Sequence, residues 1–173
     1  MGEKTQKVNR EFSAGGAVFK KEKGEVLWLV TKLAVLPKPL HPFGTWRLPK
    51  GWLDDAGDMI PGPFASGGKK ASEENLQEAA LREVAEEGGV GAKIVSKIET
   101  SKYFMISTRG RVLKFVTFYL MEWVSDSPEG FSFETEKVEW LPFDQARKRL
   151  TYKGEKEILD KAKFLLSDCY KPT

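Results

Sequence analysis

The sequence predicts an α/β domain in which a mixed β-sheet lies between helices, an α/β/α sandwich. Three observations support this. Apolar, strand-like runs lie on both sides of one acidic helical stretch, that stretch carries an apolar residue every fourth position, and a second amphipathic stretch closes the chain. At 173 residues with 40% apolar content there is material for one core, so residues 1–173 are read as a single domain.

From the N-terminus, Phe12–Phe19 and Val26–Leu33 read as strands joined by "KKEKGE", whose Gly24 suits a hairpin turn. Pro37, Pro39 and Pro42 forbid a regular ladder and predict an extended loop leading into "WRLPKG", residues 46–51. The stretch "DDAGDMIPGPFASGGKK" is rich in Gly and Pro with few anchors, which predicts a mobile surface excursion. Ser72 offers an N-cap, Glu73 and Glu74 suit the positive end of a helix dipole, Leu76, Ala80 and Val84 form the buried stripe, and Gly88-Gly89 ends the helix. Two long strands follow, Ile94–Ile106 and Val112–Val124. The second is apolar on both faces, as a covered central strand should be. Residues 137–141 form a short strand, Pro142 and Asp144 open a helix through Leu150, and "GEKEILDKAKFLL" forms the last one.

The totals exclude several classes. The 28 basic and 25 acidic residues leave a net charge of +3, too little to imply a nucleic-acid-coating surface. Cys169 stands alone and forms no internal disulfide, while a single histidine, His41, rules out any site built on two. The polar start "MGEKTQKVNR" has no apolar leader, Gln6 stands where a myristoylation signal needs Ser or Thr, and no apolar run spans a bilayer. A cytoplasmic protein without a membrane partner is the expectation.

The acidic helix raises the chemical question. At about 100° per residue, Glu86 and Glu87 fall within roughly 60° of Glu83, on a strip bordering the buried stripe. Like charges at these spacings repel, and burial beside a sheet raises the cost unless a cation neutralises them. Hard divalent ions take such oxygen ligands. A solvated acidic face is the ordinary alternative, with Arg82 as a simple helix-surface partner of Glu78 or Glu86.

The spacing of the whole stretch favours the metal. Gly68, Glu74, Arg82-Glu83-Val84, Glu86-Glu87 and Gly89-Val90 fit G-x5-E-x7-R-E-U-x-E-E-x-G-U, with U apolar, a match that random sequence gives roughly once in 10⁸ starting points. This resembles the Nudix hydrolase family, and "SAGGAVF", "WRLPKG" and "VEWLP" resemble its flanking segments. The resemblance implies a Nudix-type α/β/α sandwich that hydrolyses nucleoside diphosphate derivatives with Mg²⁺ or Mn²⁺. It carries metal binding onto Glu83, Glu86 and Glu87, with Glu83 also the first choice of general base, and a structural role in the catalytic box onto Arg82. Glu134 and Glu136 are candidates for an additional acid.

One departure concerns glycine. The family's box begins at the Gly of "LPKG", whose carbonyl meets a metal. Here Gly51 lies 23 residues before Glu74, while Gly68 keeps the formal spacing. Residues 55–72 therefore read as an insertion, flexible and placed to act as a flap, with Gly51 favoured for the carbonyl and Gly68 its rival. "W-x-LPKG" resembles the dinucleoside polyphosphate branch. In that setting Lys50, Arg47, Arg111 and Lys114 would meet phosphates, and Tyr103, Phe104 or Trp46 would stack a base. Three readings remain beside this one: a hydrolase of oxidised nucleoside triphosphates, an RNA 5′-end pyrophosphohydrolase, and a nucleotide sensor without turnover.

Overall fold

A computed structural model describes residues 7–35, 44–107 and 109–169. The predicted proline loop, with Pro37, Pro39, Pro42 and His41, lies outside the described residues, as does Thr108 of the "TRGR" turn.

The two N-terminal strands form as expected, β1 (Asn9–Glu22) and β2 (Glu25–Leu33). Glu22 pairs with Glu25, and both turn residues, Lys23 and Gly24, take positive φ, the tight geometry that matches strand twist. "WRLPKG" contributes two short strands the sequence did not announce, β3 (Trp46–Arg47) on β2 and β4 (Lys50–Trp52) on β1. The acidic helix is α1 (Glu73–Gly88). Beyond it come β5 (Val90–Ser107), β6 (Gly110–Asp126) and β7 (Thr135–Pro142), each longer than its apolar run because ladder pairing extends past the residues that need burial. Helices α2 (Phe143–Arg149) and α3 (Lys153–Cys169) follow.

The sheet runs β3-β2-β1-β6-β5, with β4 also on β1 and β7 on β2. β1 and β6 pair in parallel and the other neighbours are antiparallel, so the sheet is mixed. β6 is central, as its two-sided apolar pattern requires. Val116, Phe118 and Leu120 face a core shared with α2 and α3, while Tyr119 and Met121 face the core under α1. This is the α/β/α sandwich.

α1 is fastened at both ends. Ser72 Oγ accepts from Asn75 N at 3.1 Å, and Asn75 Oδ1 accepts from Ser72 N at 3.0 Å. Glu73 accepts from the buried Tyr119 hydroxyl at 2.7 Å and from Lys97 at 2.9 Å; Lys97 foremost, then Tyr119, holds this carboxylate below its ordinary pKa. At the other end Gly89 takes the left-handed conformation, and the 127–135 loop satisfies the exposed carbonyls. Ser132 N donates to Glu86 O at 2.7 Å, and Thr135 Oγ1 to Glu87 O at 2.9 Å.

The expectation of few anchors across residues 54–70 is corrected. Asp54 turns its carboxylate inward and accepts from Phe64 N at 3.1 Å and Ala65 N at 2.7 Å, while its carbonyl accepts from Gly62 N at 3.1 Å. Phe12 N donates to Ala65 O at 2.8 Å, and Pro61, Gly62 and Ala65 are buried. An acid three residues past Gly51 thus organises a segment that composition alone marks as loose. Asp54→Ala should strand two amide donors and cost about 1–3 kcal/mol in denaturant unfolding, with new protease cuts between residues 55 and 64 in limited digestion.

Candidate active site

The first constraint on the site is close approach. A Cβ on Gly51 would run into the Glu83 carboxylate, a Cβ on Gly15 into Pro49 O and Lys50, and one on Gly16 into Val84 and Met121. These glycines let α1 and the 46–52 segment press against β1. Gly51 therefore lies against the carboxylate edge of α1. The rival Gly68 sits in a turn beside Pro63 and Ser66 with only ordinary van der Waals neighbours.

Glu83 lies in this crowded place with 12% of its side chain exposed. Burial pushes its carboxyl up to about 7; Glu87 and Glu86 push the same way, and Arg82 pulls down. Arg82 is chiefly a clamp. Its Nη2 donates to Trp52 O at 3.0 Å and Leu53 O at 3.1 Å, and meets Glu83 Oε1 only at 3.4 Å. No ion pair between Arg82 and Glu78 or Glu86 is formed among the described residues. Glu86 is exposed on the outer side of the strip.

Glu87 is buried. One oxygen accepts from Arg47 Nη2, the other from Lys50 N at 3.0 Å. Burial raises its pKa, opposed by Arg47, while Glu134 adds a smaller upward push. Burial likewise works against the Arg47 charge, yet Glu87 and Glu155 hold the guanidinium above its ordinary value. Among the described residues, no three Asp, Glu, His or Cys side chains already stand grouped as a ligand set, and Glu87 turns to Arg47 and the 46–51 segment.

The other predicted residues divide. Lys50, 6% exposed, reaches the Tyr103 hydroxyl at 3.4 Å and Glu155 Oε2 at 3.6 Å, so Lys50, Arg47 and Tyr103 do come together. Glu134 lies near enough to Glu87 to affect it, whereas Glu136 pairs with Lys32 at 3.3 Å. Trp46 is half-buried, packed against the core beneath Arg149. Phe104 is exposed but covered by Arg111, 4.2 Å from its ring centroid.

Sequence reasoning missed Glu155. From the first turn of α3 it accepts from Leu48 N at 2.7 Å across 107 residues, and no local pattern announces such a contact. It also missed Glu11, buried and accepting from the Trp52 indole at 3.1 Å.

Together these define a class: an α/β/α sandwich whose central helix presents a partly buried acidic edge to a glycine-led backbone turn, with cations gathered alongside. The chain belongs to the NUDIX domain family, whose profile matches residues 10–162. It is 26% identical over 121 residues to the Mycobacterium tuberculosis protein named MutT4, covering 70% of this chain and 42% of that one. This chain therefore spans about two fifths of that relative's length. Among solved structures, the Ap4A hydrolase of C. elegans in a binary complex superposes with a TM-score of 0.60 at 20% identity, covering 91% of this chain and 98% of that one. The NUDIX domain of Shewanella oneidensis NrtR, crystallised with ADP ribose, gives 0.58 at 16% identity, covering 95% and 94%. No helix among the described residues is long and apolar enough to cross a membrane.

The Glu83 shift gives a stability test in the metal-free protein. With the ordinary value at 4.5 and the folded value at about 7, the folded state holds the extra proton between those limits, so stability falls as pH rises through that window. In chelator, Glu83→Gln should match the wild type near pH 4.5 and exceed it by on the order of 1–3 kcal/mol at pH 8, read by denaturant unfolding.

Proposed function

We propose that this domain is a metal-dependent pyrophosphohydrolase that cleaves a phosphoanhydride bond in nucleoside or dinucleoside polyphosphates. The observation that carries this is the Glu83 carboxylate, held against Gly51 in a place too crowded and too dry for its charge. Protein that only needed a stable helix would gain by replacing it. A divalent cation among oxygen donors removes the cost, and the donors fit one: Glu83, Glu86 and Glu87 with the Gly51 carbonyl. Mg²⁺ is the first choice and Mn²⁺ the second.

When bound, the ion neutralises phosphate oxygens and lowers the pKa of water. The chain's own residues do the rest. Glu83, held against the Gly51 turn, takes the proton of the attacking water. Arg82, fixed on Trp52 O and Leu53 O, keeps the Gly51 turn at the helix edge. Lys50, Arg47 and Tyr103 face the phosphates, and Glu134 assists from the loop beyond α1. Arg47 is the present partner of Glu87 and competes with a cation for it.

Similarity to an Ap4A hydrolase supports dinucleoside polyphosphates, with oxidised nucleoside triphosphates or the pyrophosphate of an RNA 5′ end as the alternative substrates. One observation favours a different reading. With Glu87 already satisfied by Arg47, and with an ADP-ribose-bound neighbour in NrtR, the domain would bind a nucleotide without turnover.

A panel of diadenosine polyphosphates, ADP-ribose, nucleoside triphosphates and capped RNA, assayed with and without Mg²⁺, decides. Hydrolysis of at least one polyphosphate is expected, abolished by chelator. Glu83→Gln should lower kcat by about 10²-fold or more, and Glu87→Gln should weaken activation by metal. Tight nucleotide binding with no product from any substrate would establish the sensor instead.

A further inference from the structure

Two polar atoms of opposite character stand unpaired in one dry corner of the site. Nε of Arg47, a donor, and Oε2 of Glu155, an acceptor, are both buried with no hydrogen-bond partner among the described residues. Native interiors leave few such atoms, and each costs stability where it stands. Lys50 Nζ comes within 3.6 Å of Glu155 Oε2, past hydrogen-bond reach, and lies 3.4 Å from the Tyr103 hydroxyl instead.

The chain brings the two atoms close. Oε1 of Glu155 accepts from Leu48 N at 2.7 Å, and Leu48 directly follows Arg47, so this carboxylate is anchored to the backbone that carries the guanidinium. Burial works against the Arg47 charge, while Glu87 first and Glu155 second sustain it. Only Glu87 has the hydrogen bond, through Arg47 Nη2. Arg47 therefore stands between two buried acids, bonded to one and drawn to the other by charge alone. The Glu87 oxygen it occupies is one that the proposed function gives to a divalent cation. A guanidinium displaced by that cation needs another counter-charge, because a buried cation without one is strongly destabilising.

We propose that Glu155 is the second partner of Arg47: when a divalent cation takes Glu87, the guanidinium passes to Glu155 and pairs its orphan Nε with the orphan Oε2. This rests on the proposed function and adds to it a positioning residue in α3, which touches no metal yet governs how readily Glu87 is released. The transfer needs only side-chain rotation, since Leu48 N already holds the receiving carboxylate beside Arg47. Nε and one Nη make the two-pronged contact that a carboxylate accepts from arginine, and the remaining Nη stays available to substrate.

Metal binding tests this without turnover. Calorimetric titration with Mn²⁺ should show affinity about tenfold weaker in Glu155→Gln, whose amide oxygen still accepts from Leu48 N. In Arg47→Met, where no guanidinium needs a second partner, adding Glu155→Gln should change affinity by less than about twofold. The Arg47 Nε–H resonance of isotope-labelled protein should shift on saturation with Mg²⁺ in wild type and fail to reach that position in Glu155→Gln. Equal losses of affinity in the two backgrounds would overturn the exchange, as would a resonance that shifts alike in wild type and Glu155→Gln. Should Arg47→Met not fold, the resonance decides alone. Wild type that binds neither ion would overturn the exchange together with the proposed function, whereas binding with a stationary Arg47 signal overturns the exchange and leaves the proposed function standing.

Discussion

A single carboxylate with almost no access to water joins two parts of the chain forty residues apart. Glu87 takes the Arg47 guanidinium on one oxygen and the Lys50 backbone amide on the other, at the end of α1 where no solvent replaces either partner. Without the first, a buried charge stands unpaired; without the second, an amide does. The 46–52 segment is thereby held along α1, which brings Gly51 against Glu83 and lays Lys50 over the outer floor of the sheet. Glu155 repeats the device from the opposite layer by receiving Leu48 N. A short stretch of nearly extended chain is gripped from both helical layers by acids, and its geometry is inherited from them.

The cost of this arrangement falls on the core. Glu83 and Lys114 each carry a charge that their surroundings disfavour, one on each side of the sheet. Two apolar clusters offset them, built on Trp28, Phe118 and Leu120 against α2 and α3, and on Leu29, Tyr119 and Met121 against α1. Stability is thus concentrated where nothing reacts and withheld where charge must be met by a ligand, a common division in enzymes.

Much of the fold was legible in the sequence because it rests on short-range rules. The stripe Leu76, Ala80, Val84, the Ser72 cap and the Gly89 stop define α1 by local chemistry, and the two-sided apolar run of β6 declares a central strand. The carboxylate edge was legible for the same reason, since three glutamates within five residues of a helix share a face by geometry. What stayed hidden depends on contacts distant in sequence. The inward turn of Asp54, the grip of Glu155 on Leu48 and the diversion of Glu87 to Arg47 each need a partner that no local pattern names. Trp46 is a further case: its packing against the core beneath Arg149 follows from position, not from residue type.

The loop closed by Asp54 has an architectural meaning. Its two ends are pinned, one by the Asp54 carboxylate and carbonyl, the other by Ala65 receiving Phe12 N from β1, while the turn at Ala56–Ile60 is closed by its own backbone bonds and touched from outside by Arg109, whose Nη2 donates to Met59 O at 3.0 Å. Strain entering at that turn meets a rigid collar before it meets α1. The turn is therefore a place where length and sequence can drift, or a new recognition element be grafted, while the reacting carboxylates keep their footing.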